Sequence, residues 1–246
     1  MKAVLLAAGR GRRMGIDGPK CLLEIAGQTL LERHIDNAAP AGISEVIVVT
    51  GHGHDEVLAT LERIAEPAVK VTTVYNERYL HGSLVSLACA FEELVPAGGL
   101  WMDADVIYPS ELLARLVQST RENCVLLDAR SSEQGEEMML AVSKDRVRRI
   151  ARRVGEGWDL VGESVGFFKI GPSGARLMQR VLSSEVAAGR LDQEHEDALD
   201  VALAEVPFGY ERADDLPWTE IDFPEDVLRA TRLVELIDPA RAVVAS

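Results

Sequence analysis

Residues 5–27 read LLAAGRGRRMGIDGPKCLLEIAG and follow directly on an apolar run that begins at Lys2. Glycines at 9, 11 and 15 stand among Arg10, Arg12, Arg13 and Lys20. An apolar segment that stops in glycines reads as a buried strand running into a loop. Such a loop offers bare backbone N–H groups to an anion, and its side-chain cations would hold a polyphosphate. Two familiar phosphate loops do not fit: a dinucleotide fingerprint needs glycine where Met14 stands, and no Lys-Ser/Thr pair follows to complete a P-loop. A solvated basic turn is the competing reading.

Outward from this loop, apolar periodicity alternates between strand and helix. It predicts strands over 2–8, 45–50, 69–75 and 99–103, with helices over 29–38, 55–65, 83–94 and 110–119. From residue 124 the segments CVLLDA, MMLAVSK, RVRRIAR and SVGFFKIG are strand-like without long helices between them. RSSEQGEE and RVGEGWDLVGE read as loops of that part. Helices resume over 173–188, 194–204 and 224–237, the last opened by Pro224. Repeated βα units imply an α/β fold: a three-layer, Rossmann-like, mostly parallel sheet with ligands at the carboxyl ends of its strands. The expected organisation is a single domain over 1–246 with a strand-rich insertion at about 124–172.

The chain has 246 residues, a formal net charge of -14 and 47% hydrophobic residues. A pI near 4.8 argues against nucleic acid as a partner, because a phosphate backbone rewards a basic face. No apolar run approaches the ~20 residues of a membrane span, and the N-terminus lacks the pattern of a secretory signal. The expected compartment is the cytoplasm, with no membrane partner. Cys21, Cys89 and Cys124 are far apart and odd in number, so they read as reduced thiols.

WMDADVIYP ends an apolar strand in Asp103 and Asp105, which alternation puts on one side if the strand continues that far. A second acidic pair, Glu220 and Asp222, lies in LPWTEIDFPED. Close carboxylates repel unless a cation lies near, so a divalent metal explains both pairs economically; helix capping or solvent exposure is the alternative.

The stretch LAAGRGRRMGIDGPKCLLEIAGQTLLER resembles the signature of the sugar-nucleotide-type nucleotidyltransferases, L-A-A-G-x-G-x-R followed by P-K. The W-x-E-I-D form at 218–222 is similar to the phosphocholine and phosphonate cytidylyltransferases. Departures are Arg12, where many members carry Ser or Thr, and the short gap between Arg13 and Pro19. The resemblance implies that Arg13 and Lys20 are catalytic, neutralising the triphosphate, and that Asp105 and Asp222 hold Mg2+. It implies nucleotide contacts from Leu6, Ala8, Gly9, Gly11, Arg12 and Asp103, and from Asn76, Gly82, Ser83 and Ser86 in the N…S-L segment. Ser83 as a helix cap and Asn76 as a turn residue are the competing readings. The expected partners are CTP and a small phosphate- or phosphonate-bearing acceptor, with a homodimer compatible.

For the acceptor, a quaternary ammonium calls for an aromatic cage, to which Trp218 could contribute. An anionic acceptor would instead use Arg149 and Arg153 from DRVRRIARR, Lys169 from GFFKIG, or Glu220 at the metal. A solvated arginine face is the alternative for that run. His52 and His54 in TGHGHDE have metal-type spacing but no third ligand in view, so a polar loop is the reading. His195 in DQEHEDALD reads as a helix start within a solvated acidic cluster. Alternative functions are a molybdopterin-type or sugar-1-phosphate nucleotidyltransferase, which W-x-E-I-D disfavours for the former, and a non-catalytic nucleotide-binding regulator.

Overall fold

In the computed structural model, residues 1–15, 18–64, 67–131, 135 and 137–238 are described, without the side chain of Arg12. The run KAVLL forms β1 (Lys2–Leu6), whose Ala3 and Leu5 enter one core and whose Val4 enters another, all fully buried. A strand apolar on both faces belongs at the centre of a parallel sheet. After it come the short hairpin β2 (Glu24–Ile25) and β3 (Gln28–Thr29), then α1 (Leu30–Ala41). Thr29 and Glu32 cap that helix reciprocally. Next are β4 (Glu45–Thr50), α2 (His54–Arg63), β5 (Lys70–Tyr75), α3 (Ser83–Ala90), β6 (Gly99–Asp103), β7 (Val106–Ile107) and α4 (Ser110–Gln118).

The later part contributes β8 (Cys124–Asp128), β9 (Met139–Ser143), β10 (Arg146–Ala151), β11 (Leu160–Ile170), α5 (Pro172–Ala187), α6 (His195–Ala202), β12 (Gly209–Arg212), β13 (Thr219–Glu220) and α7 (Pro224–Ile237). The main sheet runs β10-β9-β11-β6-β1-β4-β5, with β8 beside β11 and β12 beside β8. Strands β6, β1, β4 and β5 are parallel. β11 is antiparallel to β6, β8 and β9, so it joins the strand-rich part to the parallel half. Helices α3, α5 and α6 cover one face around Trp101, Phe168 and Leu87, while α1 and α4 cover the other around Leu5, Leu31 and Leu112. This is the expected three-layer, largely parallel α/β architecture.

Local departures have local causes. The segment 153–163 expected as loop is strand from Leu160 onward, because β11 extends to pair with β9. Residues 132–134 and 136 of RSSEQGEE lie outside the described residues. Strands β12 and β13 are too short for periodicity to register; β13 pairs with β7 and so draws the C-terminal acidic segment to the end of β6. Gly166, at φ 80°, sits opposite the end of β6, where an added Cβ would lie 2.4 Å from Asp103 Oδ2. A bare backbone is required there.

The Trp101 and Phe168 rings stack at 4.8 Å between centroids and 9° between planes, both wholly buried. Phe168→Ala is expected to lower the unfolding free energy by about 3–5 kcal/mol, as read from urea denaturation; a loss below about 1 kcal/mol would contradict this packing.

Candidate active site

Strand β6 ends at Asp103, a turn places Asp105, and β7 continues the chain. Pairing of β13 with β7, and the Ile221 N–H donating to the Asp105 carbonyl at 2.9 Å, bring Asp222 alongside although the two residues are distant in sequence. At the start of α7, the buried Asp226 carboxylate accepts the backbone N–H groups of Asp222 and Phe223, each at 2.8 Å, and fixes the turn that carries Asp222. From the glycine loop, Lys20 reaches in and donates to Asp105 Oδ2 at 2.8 Å and to Asp222 Oδ1 at 2.6 Å. Arg13 approaches the other Asp222 oxygen at 3.6 Å and lies 5.8 Å from the centre of the Phe223 ring.

Asp105, Glu220 and Asp222 each offer an oxygen, all within 4.8 Å of one another. The buried Asp105 Oδ1 accepts no hydrogen bond among the described residues. Surrounding protein, together with the charges of Asp105 and Asp222, pushes the Glu220 pKa well above its ordinary value, even though the residue remains open to solvent. Three converging carboxylates, one with an unpartnered buried oxygen, fit a hard divalent cation that takes oxygen ligands. Lys20 supplies part of the missing positive charge. Burial opposes its ionisation, but Asp105 and Asp222 outweigh that and raise its pKa.

Asp105, Glu220 and Asp222 border a cleft of about 340 Å3. Of the residues expected at the nucleotide, Leu6, Ala8, Gly9, Gly82, Ser83, Ser86 and Asp103 line it with Arg13. Gly11, at φ 60°, shapes the loop behind it, its carbonyl accepting the Met14 N–H; the Arg12 side chain lies outside the described residues. Asn76 is wholly buried and supports the wall, donating from Nδ2 to Ser86 Oγ at 3.0 Å. Gly82 and Ser83 carry a structural duty as well. A Cβ on Gly82 would meet the Gln193 carbonyl at 2.0 Å, and Ser83 Oγ donates to Glu194 at 2.5 Å while accepting the His195 N–H at 2.9 Å. They dock the start of α6 against α3.

On the acceptor side, Glu220 is in the cleft and Trp218 is not. Trp218 donates to Asp128 at 2.8 Å and lines a neighbouring cavity that shares Glu220 and Asp222 with the cleft. Three expected basic residues are elsewhere. Arg149 pairs with Asp200 of α6 at 3.2 Å, Arg153 is exposed, and Lys169 donates to the carbonyls of Val117 and Ser119 at the C-terminal end of α4. Simple alternation misplaces the arginines because β10 bulges between Val147 and Arg149 and ends at Ala151. Arg152, just past the strand, is the one that lines the cleft, with Ser164, Glu194 and Glu196.

His195 corrects the reading of DQEHEDALD as solvated surface. It does begin α6, but it is 1% exposed. Its Nε2 lies 3.1 Å from Asp103 Oδ1, and its Nδ1 is 3.4 Å from Glu196 and within reach of the Trp101 indole N–H. The missed signal is helical periodicity, since residues 195, 198, 199 and 202 form one buried stripe. Burial opposes the imidazolium, yet Glu196 and Asp103 raise its pKa to about 9. His52 and His54 form no metal centre with a third ligand among the described residues; His54 Nδ1 bonds Thr50 Oγ1 at 2.8 Å. No helix among the described residues is long and apolar enough to cross a membrane.

The family model described as the MobA-like NTP transferase domain matches residues 3–163. The fold is that of a nucleotidyltransferase, and the chain belongs to this MobA-like NTP transferase family. A bifunctional IPC transferase and DIPP synthase from Thermococcus kodakarensis is 30% identical over 240 residues, which is 95% of this chain and 50% of that protein. The bifunctional protein GlmU of Sorangium cellulosum is 49% identical over 63 residues, 26% of this chain and 13% of its own length. The chain thus spans half or less of these curated relatives. Among solved structures, CTP:phosphocholine cytidylyltransferase from Streptococcus pneumoniae superposes with a TM-score of 0.76 at 20% identity, covering 95% of this chain and 98% of that one. The inositol-1-phosphate CTP transferase from T. maritima gives 0.77 at 19% identity, covering 95% and 96%.

A folded-state pKa above the usual 6.5 means that His195 contributes stability present in full below about 6.5 and lost as pH rises through about 9. Urea denaturation of wild type and His195→Gln across this range is expected to show the gap in unfolding free energy shrinking with rising pH. A gap that widens toward pH 9 would contradict the imidazolium assignment.

Proposed function

We propose that the chain is a Mg2+-dependent cytidylyltransferase that joins CMP from CTP to the phosphate of a small hydroxylated phosphate ester and releases pyrophosphate. The observation that carries this reading is the convergence of Lys20 and Arg13 from the glycine loop on the carboxylates Asp105 and Asp222. In such a transfer an acceptor phosphate oxygen attacks the α-phosphorus in line. A new P–O bond forms as the bond to the β-phosphate bridging oxygen breaks, and pyrophosphate leaves with the electron pair. The acceptor oxygen is already ionised at neutral pH, so no general base is required.

Both reactants are anions, so the work falls on charge neutralisation and alignment. Lys20 and Arg13 would meet the triphosphate, and the glycine loop would let backbone N–H groups approach it. Asp105, Asp222 and Glu220 would hold Mg2+, which when bound screens phosphate charge as a Lewis acid. The cytosine assignment is supported by the W-x-E-I-D resemblance and by the two fold neighbours whose names specify CTP.

The cleft favours hydroxyl groups over a quaternary ammonium on the acceptor. Asp103, Ser164, Glu194 and Glu196 offer hydrogen-bond acceptors and Arg152 a cation for phosphate, whereas Tyr79 is the only Phe, Tyr or Trp among the described residues lining it. An aromatic cage needs more than one such face. The phosphonate reading loses support with Arg149, Arg153 and Lys169 away from the cleft. The IPC transferase relative and the inositol-1-phosphate CTP transferase neighbour support the polyol reading.

Pyrophosphate release with Mg2+, the four NTPs and a panel of inositol 1-phosphate, phosphocholine, 2-aminoethylphosphonate and glucose 1-phosphate tests this. CTP with the inositol ester is expected to turn over fastest, and chelation of Mg2+ to abolish turnover. Asp105→Asn and Lys20→Met are each expected to lower kcat by about 100-fold or more. Unchanged turnover in Asp105→Asn, or preference for another nucleotide, would overturn the assignment.

A further inference from the structure

The motif TGHGH at 50–54 has no role in the reaction as described, and its histidines form no metal centre with a third ligand among the described residues. Its glycines are the informative residues. They lie where β4 leaves the sheet beside the glycine loop. The Ala7 N–H donates to the Val49 carbonyl at 3.0 Å and the His52 N–H to the Ala8 carbonyl at 3.1 Å, so the two chain exits are bonded together. Gly53 then caps α2 at φ 61°, its carbonyl accepting the Val57 N–H.

Both glycines are points of close approach. A Cβ on Gly51 would lie 2.9 Å from Ala8 Cβ and 2.4 Å from Tyr79 Cβ. A Cβ on Gly53 would lie 2.6 Å from Pro19 Cδ and 2.8 Å from its Cγ. Pro19 is buried and immediately precedes Lys20. Its carbonyl accepts the Leu22 N–H at 3.0 Å, closing the single 3-10 turn Lys20–Leu22 that carries the lysine. On the other side of this turn Cys21 is 2% exposed, with Sγ 3.8 Å from the Ala7 carbonyl. The proline ring is therefore held between a glycine Cα and the core, with Lys20 as the next residue along a rigid turn.

We propose that Gly53 is a positioning residue for Lys20, acting through the Pro19 ring: the bare Cα of Gly53 is the seat that sets where the Lys20 ammonium stands between Asp105 and Asp222. The site thereby couples the exit of β4 to the arm of the glycine loop that returns from the phosphate-facing turn. This claim concerns the placement of Lys20 and rests on the proposed reaction only for its kinetic readout.

Four proteins test it: wild type, Gly53→Ala, Pro19→Ala with Gly53→Ala, and Gly189→Ala. The double variant keeps the left-handed backbone but removes the ring, leaving only the residue-19 Cβ at 3.4 Å. Gly189 has φ 74° with nothing within 4 Å of an added Cβ, so its variant controls for backbone strain alone. The first readout needs no turnover: labelling of Lys20 by an amine-selective acylating reagent, followed by peptide mass spectrometry with the exposed Lys70 as internal reference. Lys20 is shielded, 12% exposed and held by two carboxylates.

Gly53→Ala is expected to label at Lys20 about tenfold faster, and to lose roughly 10–100-fold in kcat, in line with the cost of misplacing a catalytic group by about 1 Å. With the clash relieved but the seated ring lost as well, the double variant is expected to recover part of both, and Gly189→Ala to match wild type. Unchanged labelling in Gly53→Ala, or equal effects in the single and double variants, would overturn the proposal. A wild type without CTP turnover would count against the cytidylyltransferase reading while leaving the labelling result decisive for this one.

Discussion

The ammonium of Lys20 shared between Asp105 and Asp222 is the interaction on which the rest of the site depends. It joins three places that the chain order keeps apart: the glycine loop after β1, the turn after β6 and the segment before α7. Carboxylates brought this close are costly without a compensating cation, and the fold arranges for one side-chain cation to be present at the same place. The three side chains are partly buried, at 12%, 24% and 29% exposure for Lys20, Asp105 and Asp222. Solvent therefore screens them less than a surface ion pair, and removing one partner leaves charge the others must bear.

The same constraint explains why much of the cleft is built by backbone rather than by side chains. At several points among the described residues the chain passes so close to a functional group or its support that only glycine fits, among them Gly53 against Pro19, Gly82 against the Gln193 carbonyl, and Gly166 against Asp103. Each contact joins a different element to the cleft, from β4, α3 and β11 respectively. The parallel half of the sheet presents the glycine loop, and the antiparallel part, through β11, closes the opposite wall with Ser164 and Arg152. A net charge of -14 does not preclude an anionic ligand, because Arg13 and Arg152 line the cleft and Lys20 stands beside Asp105 and Asp222.

Much of the fold was legible in the sequence because the parallel strands carry their signal locally. KAVLL, EVIVVT and GLWMD are apolar on both faces, and 224–237 opens with a proline where a helix can begin. The motifs around Arg13, Lys20, Asp105 and Asp222 were legible as chemistry, and the structure brings those four residues together. What stayed hidden was long-range. No local pattern announces that β12 pairs with β8, or that β13 pairs with β7. A one-residue bulge in β10 was enough to turn Arg149 toward Asp200 and leave Arg152 at the cleft. His195 was visible as a helix start, yet its burial follows only when the apolar stripe of α6 is followed back to its first residue.

The most direct test of the account is a crystal structure with CTP and Mn2+ in place of Mg2+, with the metal located by anomalous scattering. The account predicts the peak among the oxygens of Asp105, Asp222 and Glu220, with Lys20 and Arg13 on the triphosphate side. A single peak at Asp103, His195 and Glu196 instead, another group of ligands within range of one another, would contradict it.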